Sequence, residues 1–580
     1  MRSAFTTLWP YLRRYRRGLS LGFGCLLGKV VFASINPLLV RNGFDALLTN
    51  QNLSGLWVFA VLIILFGLAR GVLQYLMRLI LVGISRDVEF DIRNDIFSHL
   101  LRLSPAFYQT MRTGDLMARA TNDLNQVRMM LGPGVMYWAE TFLTTLFAIA
   151  VMATVDWQLT LIALIPAPLV SLAVVYFGQK IHKRFELIQA QFSDISSRVQ
   201  ENLNGVRIVR AYAQEQPELK KFEILNQDYI RSNLDLARDT GMFYPLLQAL
   251  VGFTFLLVMW AGGWRLYTGQ ITLGSFVMFQ TYMGMLIWPM IAFGWVINLT
   301  QRGTASLKRI REILDAIPSI SSPPSPQLLQ PLRGEITFDQ VSVRFDGSTA
   351  LDQVSFTIPA GATAAIVGKT GSGKSTLLNL LPRLLDPTSG RVLLDGVDLR
   401  DLDLNQLRSA IGFVPQETFL FSTTLAENIA LGVPGASAEA IAEAAAKSGL
   451  ADDITAFPAG LQTEIGERGV TLSGGQKQRT AIARAILRNP AILILDDSLS
   501  SVDTVTEEKI LTHLATIMRG RTALFVSHRV STVRNADIIF VLDHGRIVEQ
   551  GSHQQLIARG GYYADLHQKQ TLEEELEHTS

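Results

Sequence analysis

Two short stretches of this chain carry residues whose types and spacing can do chemistry. The first is Gly368-Lys369-Thr370-Gly371-Ser372-Gly373-Lys374-Ser375, which follows the apolar run Ala364–Val367 and leads into a helix near Thr376. Glycines at these places let backbone N–H groups turn inward around phosphates, and the helix presents its positive end to them. Lys374 can then reach the outer phosphates, and Ser375 can ligate Mg2+. The second stretch is the apolar run Ile492–Leu495, which ends in Asp496 and Asp497. An aspartate at the end of such a strand is placed to hold the metal of a phosphate-loop site. Alone, the first can be an ordinary glycine loop and the second a turn or a helix cap. Together they predict a site that binds ATP with Mg2+ and cleaves it.

The elements that must position these residues occupy only the second half of the chain. Alternating apolar residues (Ile336, Phe338, Val341, Val343, Phe345) read as strands, and Ala364–Val367 reads as a buried strand feeding the loop. Before them, Ser321-Ser322-Pro323-Pro324-Ser325-Pro326 breaks any helix and marks a boundary. The expected division is a membrane domain over 1–316, a linker over 317–333, an α/β nucleotide-binding domain over 334–570 and an acidic tail over 571–580. That tail is read as a frayed terminus.

The first 300 residues have a different composition. About 20 mostly apolar residues cross a bilayer, and six candidates meet that length: Gly18–Val40, Leu56–Ile84, Val135–Val155, Leu159–Phe177, Phe243–Tyr267 and Leu273–Leu299. Polar helical stretches separate the second span from the third and the fourth from the fifth, so helices should run well beyond the bilayer. With Arg13, Arg14, Arg16 and Arg17 on the side of both long loops, that side is the cytoplasm. A signal peptide is disfavoured, since no small-residue cleavage site follows and further spans come behind. Lys29, Arg70, Arg78 and Glu140 fall at membrane depth. They either snorkel or pair, or they give a translocation cavity a basic lining. Asn36-Pro37 and Trp288-Pro289 should loosen their helices locally. The 52 basic residues nearly balance the 50 acidic ones, which gives no sign of nucleic-acid binding. The single cysteine, Cys25, excludes an intrachain disulfide.

Between the two chemical stretches lies Leu472-Ser473-Gly474-Gly475-Gln476, followed by Lys477-Gln478-Arg479. With this the chain resembles the ATP-binding cassette (ABC) transporters, specifically the exporter half-transporters. These fuse an all-α domain of six membrane helices to one α/β phosphate-loop domain with a helical subdomain. The resemblance covers essentially the whole chain. It implies that Ser473, Gly474, Gly475 and Gln476 hold the nucleotide bound to the other subunit. On the chain's own nucleotide it places Phe345 against adenine, where tyrosine is usual, and Gly368, Thr370, Gly371, Ser372, Gly373, Lys374, Ser375 and Thr376 around the phosphates. Mg2+ falls to Ser375, Gln416 and Asp496, and catalysis to Asp497, Gln416 and the switch histidine His528. Ser500–Asp503 fits the loop between subunits, and Thr463–Gly469 fits the exporter loop that meets the intracellular helices. Coupling helices are expected at Thr113–Leu116 and around Gly205–Arg207 with Ala211-Tyr212.

One position departs from that pattern. Asp497 stands where the family has a glutamate that polarises the attacking water, and it is one methylene shorter. A displacement of about 1 Å can cost around a hundredfold in rate, so ATP should bind normally and be cleaved slowly, unless a shifted backbone compensates. A weakened base beside an intact Ser473–Gln476 motif implies one half of a heterodimer, with a homodimer as the alternative. The expected activity is ATP-driven export of drugs or lipids through a bacterial inner membrane, with the N-terminus and ATP-binding domain in the cytoplasm. A soluble clamp ATPase is argued against by the six spans, and import by the fusion of membrane and ATPase parts. An ATP-gated module with little pumping stays open, as does the identity of the cargo.

Overall fold

In a bilayer each backbone polar group must be satisfied within its own segment, so long apolar runs fold as helices. The computed structural model describes residues 2–50, 56–329, 332–345, 347–466, 469, 472–497, 517–518, 520–527 and 530–579. Among these, six helices are long and apolar enough to cross a membrane: Arg16–Leu48, Leu56–Leu100, Thr113–Val155, Trp157–Asn204, Glu215–Tyr267 and Leu273–Leu314. The fifth has 53 residues, or about 80 Å at 1.5 Å per residue, against a hydrocarbon core of about 30 Å. The expected extension beyond the bilayer follows from length alone. The chain divides into two units, Met1–Leu101 with Arg112–Ala316, and Arg102–Met111 with Ile317–Ser580.

Within the membrane unit, small residues let helices approach closely. A Cβ on Gly22 would come within 2.5 Å of Leu81 on the second helix, so glycine here lets the two helices approach closely. Lys29 is 4 % exposed, and its Nζ lies 2.6 Å from Glu140 Oε1 on the third helix. Lys29 therefore pairs rather than lining a basic cavity, whereas Arg70 and Arg78 are exposed on the second helix. The helices continue through Pro37 and Pro289 without ending. Elsewhere in this unit, buried Arg119 donates to Asp115 at 2.9 Å, Glu312 at 2.8 Å and the Arg309 carbonyl at 2.7 Å. Ser306 and Arg309 in turn bond Asp123 at 2.9 and 2.7 Å, tying the third helix to the sixth.

The second unit is built on two sheets. An antiparallel sheet takes the order β2 (Ser348–Ile358), β1 (Ile336–Phe345), β4 (Ser389–Leu394), β5 (Val397–Asp398). A six-stranded sheet runs β10 (Arg546–Gly551), β9 (Ile538–Asp543), β3 (Thr363–Val367), β8 (Thr522–Val526), β7 (Ile492–Asp496), β6 (Ile411–Val414), parallel except for the edge pair β9–β10. Period-two alternation sends side chains to two separate cores. Ala364, Ile366, Ile492, Ile494 and Leu524 face one, shared with Leu377 and Leu378; Ala365, Val367, Leu493, Leu495 and Phe525 face the other, shared with Ile482 and Tyr563. A third, helical core gathers Leu420, Leu425, Ile441, Leu450, Leu472 and Ala483. Because β3, β6, β7 and β8 are parallel, all four end on one edge, where open α/β sheets place their ligands.

Candidate active site

The turn after β3 is shaped by what its glycines exclude. A Cβ on Gly368 would come within 2.1 Å of the Leu542 carbonyl oxygen, and one on Gly373 within 2.5 Å of the Ala350 carbonyl. Gly373 also has φ +103°, in the left-handed region that favours glycine. The helix Lys374–Leu380 starts directly behind it. Lys374 is buried, and its Nζ donates to the carbonyls of Gly368 at 2.9 Å and Lys369 at 2.8 Å. Burial lowers its pKa, against the charges of Asp497 and Asp496. Ser372 Oγ is buried and has no hydrogen-bond partner among the described residues. Backbone too close for side chains, an unused hydroxyl and an ammonium resting on carbonyls together fit a polyanionic phosphate chain.

Register places the acidic residues relative to that loop. Asp496 pairs with Val526, and Val526 with Ile366, so Asp496 stands two strands across from the approach to the loop. At about 4.8 Å per strand that is about 10 Å. Val414 pairs with Leu495, and Gln416 is exposed two residues beyond the end of β6. Asp496 and Asp497 are both buried. Asp497 has φ +44°, and its N–H donates to the Val526 carbonyl at 3.2 Å. Aspartate visits this left-handed region more readily than longer side chains do. Ser375, Gln416 and Asp496 are the residues that could hold Mg2+. Phe345 closes β1 with 41 % of its surface exposed, free to stack on a flat ring.

Ser473 to Gln476 sit apart from this edge in their bonding. Ser473 caps the helix Gly474–Leu487 in a capping box, its N–H donating to Gln476 Oε1 at 2.9 Å while its Oγ accepts from the Gln476 N–H at 3.3 Å. Gln476 Nε2 and Arg479 both donate to Asp453, at 2.9 and 2.7 Å. Asp453 and Arg479 therefore brace the first turns, a role that sequence reading passed over because Asp453 lies outside any motif. His528 and Ser500–Asp503 lie outside the described residues, as do four positions (467, 468, 470 and 471) within and after the stretch Thr463–Gly469.

Residues 19–290 match the family model described as the ABC transporter transmembrane region, and residues 351–500 match that described as ABC transporter. Over 580 residues the chain is 38 % identical to the probable multidrug resistance ABC transporter ATP-binding/permease protein YheI of Bacillus subtilis (strain 168), covering 99 % of this chain and 98 % of that one. The chain belongs to the ABC transporters. This ABC half-transporter is also 37 % identical to the multidrug resistance-like ATP-binding protein MdlA of Escherichia coli (strain K12), over 98 % of this chain and 97 % of that one. It is 35 % identical to an ATP-dependent lipid A-core flippase of Syntrophus aciditrophicus (strain SB), over 99 % and 95 %. A solved bacterial Atm1-family ABC exporter with ATP bound superposes with a TM-score of 0.79 at 28 % identity, over 96 % of this chain and 98 % of that one. The ABC exporter therefore combines a multi-pass helical membrane domain with an ATP-binding ABC ATPase domain, and it is of the multidrug and lipid-flippase type.

Proposed function

We propose that this chain is the slow-site half of a heterodimeric exporter that moves hydrophobic or amphipathic compounds, drugs or lipids, across a bacterial inner membrane. The observation that carries the reading is the aspartate at 497, set beside an intact phosphate loop and an intact Ser473–Gln476 motif. ATP lies against Phe345 and in the loop Gly368–Thr376, where Lys374 exchanges its two carbonyl partners for phosphate oxygens. Ser375, Gln416 and Asp496 would hold Mg2+, which would supply positive charge against the phosphates. Asp497 stands back from the attacking water by about one carbon–carbon bond, so cleavage here is slow although binding is tight. By resemblance to the family, His528 is the residue assigned to the outer phosphate. Ser473, Gly474, Gly475 and Gln476 serve the partner's nucleotide, which the partner's own glutamate cleaves.

Two shared nucleotides draw the cassettes together and turn the membrane cavity outward. They do so only as far as ATP binds the closed pair better than the open one. The helices Thr113–Ala118 and Val206–Ala211 carry this motion, with the N-terminus and cassette in the cytoplasm. Relatives named for multidrug resistance and for lipid A-core flipping support the cargo class. The test is ATPase activity of the co-purified pair. Asp497→Glu should raise basal turnover, and loss of the partner's glutamate should nearly abolish it. Equal damage from removing the Asp497 carboxylate and the partner's glutamate would sink the unequal-site reading.

A further inference from the structure

The C-terminal helix Tyr562–Thr579 touches the phosphate loop at its start and Val530 eight residues further on. At its start the half-buried Tyr562 ring lies 5.6 Å from Lys369 Nζ, a residue of the phosphate loop. That ring is itself held firmly. Glu549 on β10 accepts the N–H of Tyr562 at 2.6 Å and that of Tyr563 at 3.3 Å. Gly561, where a Cβ would come within 2.1 Å of Glu549 Oε1, lets this carboxylate lie close against the turn. Lys369 matters because its carbonyl accepts both Lys374 Nζ, at 2.8 Å, and the Ser372 N–H, at 3.2 Å. Whatever steadies Lys369 therefore steadies the part of the loop that meets phosphate.

Eight residues on, about 12 Å along the helix, Gln570 Oε1 accepts the N–H of Val530 at 2.7 Å. Val530 opens the short helix Val530–Val533 and stands two residues beyond His528 in the chain. It packs in the same core as Tyr563. One helix thus touches the phosphate loop at one end and Val530, the start of a short helix, at the other.

We propose that this helix is a strap for the ATP site, with Tyr562 and Gln570 as positioning residues: Tyr562 steadies the phosphate loop through Lys369, and Gln570 fixes the backbone at Val530. The inference rests on the ATPase reading of the loop and on no choice of partner or cargo. The two contacts serve different stages. Tyr562 acts on how well the loop fits ATP, whereas Gln570 acts on cleavage.

The test uses the full-length transporter in nanodiscs, reading equilibrium binding of a fluorescent ATP analogue, single-turnover cleavage and thermal midpoint. Tyr562→Ala should weaken nucleotide binding about two- to fivefold and leave the cleavage rate unchanged. Tyr562→Phe keeps the ring and should match wild type. Gln570→Ala should slow cleavage at this chain's own site, read apart from the partner's, about three- to tenfold with binding unchanged, and Gln570→Glu, which keeps an acceptor, should recover most of that rate. If Tyr562→Ala does not assemble, Lys369→Met removes the cation from the same contact and should give the same binding loss. The strap is refuted if binding and cleavage stay at wild-type values in the two alanine variants, or fall together in step with the thermal midpoint. Brisk cleavage by the self-paired wild type would overturn the unequal-site reading and leave the strap standing.

Discussion

At the scale of single residues, the site depends on backbone that tolerates no side chain. Gly373 combines φ +103° with a carbonyl 2.5 Å from where a Cβ would sit. Gly373→Ala is expected to lower ATP affinity more than tenfold, as read by nucleotide binding, because both the left-handed strain and the clash fall on rigid backbone. The glycine spacing and the strand ending in Asp496 were legible in the sequence because each is a local pattern. The left-handed turn at Asp497 was not, since nothing in a run of two aspartates distinguishes extended from left-handed backbone. It bears on Asp497→Glu: glutamate occupies that conformation less readily, so its gain in reach is offset in part by backbone strain.

At the scale of elements, the Gly474–Leu487 helix shows how a motif needs support from outside itself. Asp453 accepts from Gln476 and Arg479 together, so Asp453→Ala should loosen the capping turn. The expected result is a several-fold loss of turnover in the assembled transporter with nucleotide binding to the chain's own loop unchanged, since the two do not share bonds. The C-terminal helix carries a pH dependence. His553, bonded to the Tyr563 hydroxyl at 2.8 Å, has its pKa lowered by burial and then by the nearby charges of His567 and Arg534. The folded protein thus binds this proton less readily than the unfolded chain. Stability from this group is complete above about pH 6.5 and is lost as pH falls through the lower folded value. The thermal midpoint should drop on acidification below pH 6.5, and His553→Asn should flatten that drop. Strands and their facing were readable from alternation. The two cores were not, because the pattern shows that both faces are buried but not what covers each.

For the whole molecule, the six spans were legible because bilayer thickness sets a length that composition reveals. Pairing across 111 positions, as between Lys29 and Glu140, lies beyond any local pattern. Lys29→Met leaves a carboxylate uncompensated among apolar helices and should destabilise by about 3–5 kcal/mol. Lys29→Met with Glu140→Leu should recover most of that, measured as the thermal midpoint in nanodiscs.

The stretch Arg102–Met111 groups with the cassette unit, with Ser319 Oγ donating to Ser104 Oγ at 2.8 Å. The polypeptide therefore crosses from one unit to the other three times, not once. A gene fragment beginning at residue 317 lacks ten residues that group with its own unit. Excised ATPase pieces of this protein should accordingly be less soluble and melt lower than the same piece supplied with a peptide spanning 102–111.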